Sequence, residues 1–179
     1  MDIPGFVHTI QASAAGEWMR TSVKAMPFVE ATHVLAAATV FGTILIVDLR
    51  LLGFASTRRP FTRVSDEMLR ITWTAFGIAV ITGLLMFAAN AETYYSNTAF
   101  RFKMVALLCA GLNMAIFQRI TFRTVGAWDV NAPAPLAGRV AGALSILIWV
   151  TVICLARWIG FTKGYNFAVP DNVDINFQF

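Results

Sequence analysis

Charged residues are scarce in this sequence: Asp, Glu, Lys and Arg make up only 13% of its 179 residues, whereas 58% are hydrophobic. Soluble globular domains contain about 25% charged and about 45–50% apolar residues. The deficit indicates an integral membrane protein, and the length suits one domain. Because the basic residues lie at the ends of apolar runs, the formal charge of +4 does not indicate a nucleic-acid-binding surface.

Cysteine and histidine are also rare, and this excludes several kinds of site. Cys109 and Cys154 lie inside apolar runs, which argues against a disulfide framework or a Cys-x-x-Cys metal site. Two histidines are too few for a carboxylate-bridged di-iron centre. The sequence has no phosphate loop, nucleophile triad or Rossmann fingerprint, and its first twenty residues do not form a secretory signal peptide. We therefore do not expect the chemistry of soluble enzymes.

Four long apolar runs predict four membrane-spanning helices. Crossing ~30 Å of hydrocarbon takes roughly 20 mostly apolar helical residues. The runs lack the period-two alternation of barrel strands. They extend over about Met26–Leu52, Ile71–Ala91, Phe100–Phe117 and Val140–Gly160. The sequence therefore predicts an all-α, four-helix membrane bundle over residues 26–163, with polar connections at residues 54–70 and 119–139.

The amino-terminal segment, residues 1–25, is too polar to span the membrane. Phe6, Ile10, Ala14 and Trp18 recur every four residues and would lie along one helical face. This spacing predicts an amphipathic helix in the outer membrane interface. The alternative is a helix packed on the bundle, with His8 in water.

The carboxy-terminal segment, residues 164–179, is also too short and polar to span. Val173, Ile175, Phe177 and Phe179 alternate with polar residues, which is typical of an extended segment with one apolar face. We expect an extracytoplasmic tail that binds a protein partner or a second copy of the chain. A loose terminus is the alternative.

The distribution of basic residues predicts the orientation. Eight lie at the first and third connections and six at the opposite side, and the dense cluster at residues 58–70 adjoins the first two spans. Because cytoplasmic loops are enriched in Lys and Arg, we expect both termini outside the cytoplasm.

Ionisable side chains inside the spans indicate a candidate site in the outer half of the bundle. His33 lies inside the first span, and Glu30 lies one turn away on the same face. Such residues are costly in a membrane and are often functional. The antiparallel spans bring Arg101, Lys103 and Arg157 to the same end. Asn113 and the pair Asp48 and Arg50 are the main polar residues of the inner half.

A haem pocket is one interpretation of this outer cluster. Neutral imidazole is a common haem or metal ligand, and small residues after His33 (Ala36–Ala38, then Gly42) leave room for a flat macrocycle. The three outer cations would bind the propionates. His8 would be the second axial ligand of a bis-histidine haem; otherwise the iron is five-coordinate or takes an unusual ligand such as Met26, Met104 or Lys103. A copper site at His33 and Glu30 and a purely structural histidine are the alternatives.

Several short stretches carry a resemblance to a family: His33-Val34-Leu35, Gly42-Thr43, Asp48-Leu-Arg-Leu-Leu-Gly53, Phe102-Lys103-Met104 and Gly111-Leu112-Asn113. They resemble an uncharacterised family of bacterial four-span membrane proteins. The layout also distantly resembles the copper-resistance D proteins and the haem-dependent membrane protoporphyrinogen oxidases, which carry a first-span histidine and a later Phe/Leu-Lys start to a span. The resemblance implies a bacterial inner-membrane protein with a haem or copper connection through His33 and Lys103.

Three function hypotheses follow. The first is a small b-type cytochrome that transfers electrons between quinone and an extracytoplasmic partner. The second is a copper-handling membrane protein, and the third is a non-catalytic subunit of a larger membrane complex.

Overall fold

The computed structural model describes residues 4–56, 58–130 and 132–162. Most of these residues lie in α-helices. The tail predicted at residues 164–179 lies outside the described residues. After Ile116 the chain continues through a π-helical segment, Phe117–Thr121, and a 3-10 helix, Phe122–Ala127. The α-helices are α1 (Gly5–Gln11), α2 (Ala14–Thr21), α3 (Ala25–Leu52), α4 (Phe61–Ala89), α5 (Ala91–Ser96), α6 (Thr98–Ile116) and α7 (Leu136–Thr162).

Four segments are long and apolar enough to cross a membrane: α3, α4, α6 with its continuation to Ala127, and α7. The predicted all-α membrane bundle is therefore confirmed. Neighbouring spans run in opposite directions. We call the end that carries residues 53–60 and 128–135 the loop end, and the opposite end, where α1, α2 and α5 lie, the α5 end.

The spans are arranged around α3, which packs against α4 on one side and α7 on the other, while α6 packs on α7. Glycines allow the close approach of α3 and α7. A Cβ atom at Gly142 would lie 3.2 Å from both the Asp48 carbonyl oxygen and the Leu51 Cβ atom, and one at Gly138 would lie 3.7 Å from Leu51 Cδ2. Small residues permit such helix contacts in membranes.

The second span begins ten residues before the predicted start at Ile71, so the prediction of a loop up to Arg70 was wrong. Phe61 is completely buried and packs on the rings of Phe117, Phe122 and Trp128. The charged residues after it lie on the exposed face of a helix that continues beyond the apolar run.

The amino-terminal segment forms two short helices rather than one. The first ends at Gln11, and Ser13 caps the second, since its hydroxyl oxygen accepts a hydrogen bond from the Gly16 amide. The helices pack on the α5 end through Val7 and Met19, whereas Phe6 and Trp18 remain 59% and 53% exposed. The segment therefore packs on the bundle through Val7 and Met19, and Phe6 and Trp18 of the predicted apolar face stay exposed.

Candidate functional site

His33 is fixed at the contact between α3 and α4. Its Nδ1 atom lies 3.0 Å from the Thr82 hydroxyl oxygen, and that hydroxyl lies 2.7 Å from the Ile78 carbonyl oxygen. Because the hydroxyl has one proton and gives it to Ile78, it accepts from Nδ1–H of His33. The lone pair of the neutral imidazole is then on Nε2, the atom that a metal would bind.

The surroundings of His33 include two of its predicted partners. A Cβ atom at Gly83 would lie 3.2 Å from His33 Cε1 and 3.6 Å from Nδ1, so the imidazole lies close to the α4 backbone. Lys103 of α6 and Glu30 of α3 are near enough for their charges to act on the ring. The structure thus brings His33, Glu30 and Lys103 together.

The other predicted site residues lie elsewhere at the α5 end. His8 Nδ1 is 2.7 Å from a carboxylate oxygen of Glu92, and its side chain is mostly exposed. Arg101 donates from Nε to the Tyr95 carbonyl oxygen, and Arg157 lies over the Phe161 ring. Within the described ranges, no group of three or more His, Cys, Asp or Glu residues is arranged to hold a metal ion.

A cavity of about 450 Å³ lies in the other half of the bundle, between the membrane centre and the loop end. All four spans contribute to its walls, and the volume is in the range of small-molecule sites in proteins. Its lining includes five aromatic side chains: Trp73, Phe76, Phe117, Phe122 and Trp149.

The cavity is apolar towards the membrane centre, and its polar residues gather towards the loop end, where Leu51, Phe117 and Phe122 also line it. On α3 the lining changes from Val40 and Ile44 to Asp48, which lies about 12 Å further along the axis than Val40. On α6 it changes from Leu107 to Asn113, whose amide nitrogen donates to the Ala141 carbonyl oxygen of α7 at 3.0 Å. A molecule with a polar head and an apolar body would match this arrangement.

Asp48 is the most unusual residue of the lining. It is 6% exposed, and its Oδ2 atom has no hydrogen-bond partner among the described residues. The Ser145 hydroxyl of α7 is close enough to interact with the same carboxyl group. A buried polar atom without a partner costs about 1–3 kcal/mol, so a ligand that supplies a donor here would stabilise the protein.

Arg50 does not neutralise Asp48, so the sequence-based pair is not formed. The Arg50 guanidinium donates instead to the carbonyl oxygens of Arg59, at 3.2 and 3.3 Å, and of Asp129, at 3.2 Å. It thereby ties the two loops together. Among the described residues that line the cavity there are two carboxylic acids, Asp48 and Asp66, and no Lys, Arg or His.

The cavity lies beside a gap between α4 and α6, which in the described structure do not pack along each other. Among the described residues, aromatic rings connect α4 to α6 and its π-helical continuation near the two ends. Phe87 stacks on Phe100 at the α5 end, with ring centroids 5.6 Å apart, and Phe61 contacts Phe117 at the loop end, at 6.0 Å. Between these contacts Trp73 lines the cavity and is 57% exposed. The cavity is therefore accessible from the bilayer.

Sequence reasoning named Asp48 and Asn113 but put the site in the outer half. The sequence feature that could have indicated the cavity is the position of Asp48, which is an acidic residue inside a span, four residues before the end of α3. Arg50 is two residues away in sequence, and only the fold shows that it bonds to the loops instead of to Asp48.

The sequence of residues 10–162 matches a family of unknown function, DUF6644. The search for similar curated proteins and solved structures gave no match. Since the family match covers most of the sequence, the chain belongs to the DUF6644 family.

Proposed function

We propose that this protein binds a small amphipathic molecule that enters its cavity from the bilayer between α4 and α6. The observation that carries the proposal is the cavity itself: all four spans line it, it has a polar and an apolar end, and it adjoins a gap between two helices. A ligand from the bilayer would place its apolar body beside Trp73 and its head near Asp48.

Two photoreactive probes test this function. Both are phenylalkyl diazirines of the same shape, and they differ only in the head group, which is dimethylammonium, with one N–H donor, in one and uncharged isopropyl in the other. We expect at least one probe to label residues that line the cavity, and the labelling to saturate. Labelling that does not saturate and spreads evenly over the lipid-facing helices would contradict the function.

A cavity-filling variant makes the test specific. Gly111 lines the cavity, and a Cβ atom there would meet no atom within 4 Å, so Gly111→Leu fills space without a backbone clash. We expect Gly111→Leu to lower saturable labelling at least about tenfold, as loss of a well-filled site does. Gly77→Leu is the matched control, because Gly77 also has open space but does not line the cavity.

A second candidate function is haem-linked electron transfer through His33, with copper at His33 and Glu30 as its alternative. The hydrogen bond from His33 Nδ1 to Thr82 favours it, because metal-binding histidines commonly donate their other ring N–H to a fixed acceptor. Haem bound to Nε2 would supply one-electron chemistry, and the chain's own contribution is to hold the imidazole against α4. His8 contacts Glu92, and Arg157 lies over the Phe161 ring. These contacts do not favour His8 as the second axial ligand or Arg157 as a partner of the propionates.

We also propose that the loop end faces the cytoplasm of a bacterium and that the protein resides in the inner membrane. The density of arginine in and beside residues 53–60 supports this orientation. The polar end of the cavity would then lie in the cytoplasmic half of the membrane.

A further inference from the structure

We propose that the ligand of the cavity is an amphipathic cation, with a substituted ammonium group at Asp48 and an aromatic or alkyl body in the apolar part. This inference rests on the proposed function and names the class of molecule that the cavity binds. A neutral lipid-soluble molecule is the competing occupant.

Charge complementarity is the first argument. Asp48 is more than nine-tenths buried, its Oδ2 atom has no partner, and Asp66 adds a second acidic side chain to the same lining. Basic side chains are absent from the described lining residues, and Arg50, two residues away in sequence, is bonded to the loops. Because the cavity is acidic and lies in a low-dielectric medium, its carboxyl groups attract a cation electrostatically. A neutral molecule gains no such electrostatic attraction.

The aromatic lining is the second argument. Trp149 follows Ser145 by one turn on α7, so both belong to the face that lines the cavity near Asp48. Trp73 and Phe76 extend the aromatic wall on α4 towards the membrane centre. Aromatic faces attract substituted ammonium groups, and more strongly where water is excluded. The cavity therefore offers a cation both a carboxyl group and aromatic rings, while the body of the ligand lies among apolar side chains.

The route of entry is the third argument. A substituted ammonium group with an apolar body partitions into membrane interfaces with its charge near the head groups. The gap between α4 and α6 lets the body enter from the side, and Asp66, which is exposed at the loop end, lies where the head group would arrive first. Asp48 is deeper in the bundle and forms the final contact.

The two diazirine probes, applied to the full-length protein in an uncharged detergent, test the inference. We expect the dimethylammonium probe to bind wild-type protein at least about tenfold more tightly than its isopropyl isostere, because only the charged head, with its N–H donor, gains from the buried carboxyl group. In Asp48→Asn this preference should fall to about threefold or less, while the isopropyl probe keeps its wild-type affinity and thus shows that the variant is folded. Glu17→Gln, which removes an exposed acidic group of α2 outside the cavity, should leave the preference unchanged.

The outcomes separate the inference from the function on which it rests. Equal affinity of the two probes for wild-type protein, or a preference that persists in Asp48→Asn, would overturn the cationic ligand while the cavity remains a binding site. Failure of both probes to label the cavity would overturn the proposed function itself. The wild-type comparison needs no variant, so a poorly folded mutant does not affect it.

Discussion

At the scale of single residues, the contact between His33 and Gly83 decides where the imidazole can lie. Any side chain at Gly83 would reach the ring, since even a Cβ atom would be 3.2 Å from Cε1. Thr82 then fixes the rotation of the ring by accepting from Nδ1. The His33 side chain is thereby held inside the span by its hydrogen bond to Thr82 and by its contact with the backbone at Gly83.

This geometry gives a prediction for haem binding. If haem binds to Nε2, His33→Ala removes it, and Thr82→Val lowers its affinity about 10–100-fold, as loss of a ligand's hydrogen-bond partner typically does. Gly83→Ala should also weaken binding, because the ring must move, whereas Gly77→Ala on the same helix has open space and should have no effect. A pyridine-haemochrome assay of purified, haem-reconstituted protein measures each variant. A full Soret band in His33→Ala would exclude His33 as the ligand.

At the scale of helices and loops, Arg50 and Asp129 hold the loop end together. Asp129 accepts from the Thr62 amide at 2.8 Å and from the Thr62 hydroxyl at 3.0 Å, and its carbonyl oxygen accepts from the Phe61 amide. These bonds satisfy the free amides at the first turn of α4, which is how a capping residue starts a helix. Arg50 then joins Asp129 to the loop before α4.

We predict that Arg50→Met lowers the free energy of unfolding by about 1.5–3 kcal/mol, the range for hydrogen bonds to charged groups. Arg50→Lys should restore only part of it, because one ammonium group cannot reproduce the guanidinium fork. Arg58→Met in the same loop, where the side chain is exposed, should change stability by less than about 0.5 kcal/mol. Thermal unfolding in detergent measures all three, and equal stability of the Arg50 and Arg58 variants would contradict this role.

The same elements explain which parts of the fold the sequence predicts. The four apolar runs predict the spans, because hydrocarbon requires each backbone amide to be satisfied within its own helix. The start of α4 is not predictable in this way, since its capping residue, Asp129, is 67 positions from Thr62. The cavity is not predictable either: Asp48, Trp73, Asn113 and Ser145 come from four helices, and no local pattern relates them.

At the scale of the whole molecule, the bundle is asymmetric. The α5 end is covered by three short helices, whereas the loop end carries arginine side chains and lies next to the polar part of the cavity. If arginine-rich loops remain in the cytoplasm, the ligand's head group is bound in the cytoplasmic half of the membrane. The orientation of the chain therefore decides the side from which Asp48 and Asp66 are reached.

Cysteine labelling tests this orientation. Cys109 and Cys154 are both exposed on the surface of the spans and would be replaced by alanine first. Ala12→Cys then reports on the α5 end and Ser56→Cys on the loop end, since both positions are exposed. We expect a membrane-impermeant maleimide to label the Ala12 variant in intact cells and the Ser56 variant only after permeabilisation. The reverse result would place the loop end outside the cytoplasm, and the carboxyl groups of the cavity would then be reached from the extracytoplasmic half of the membrane.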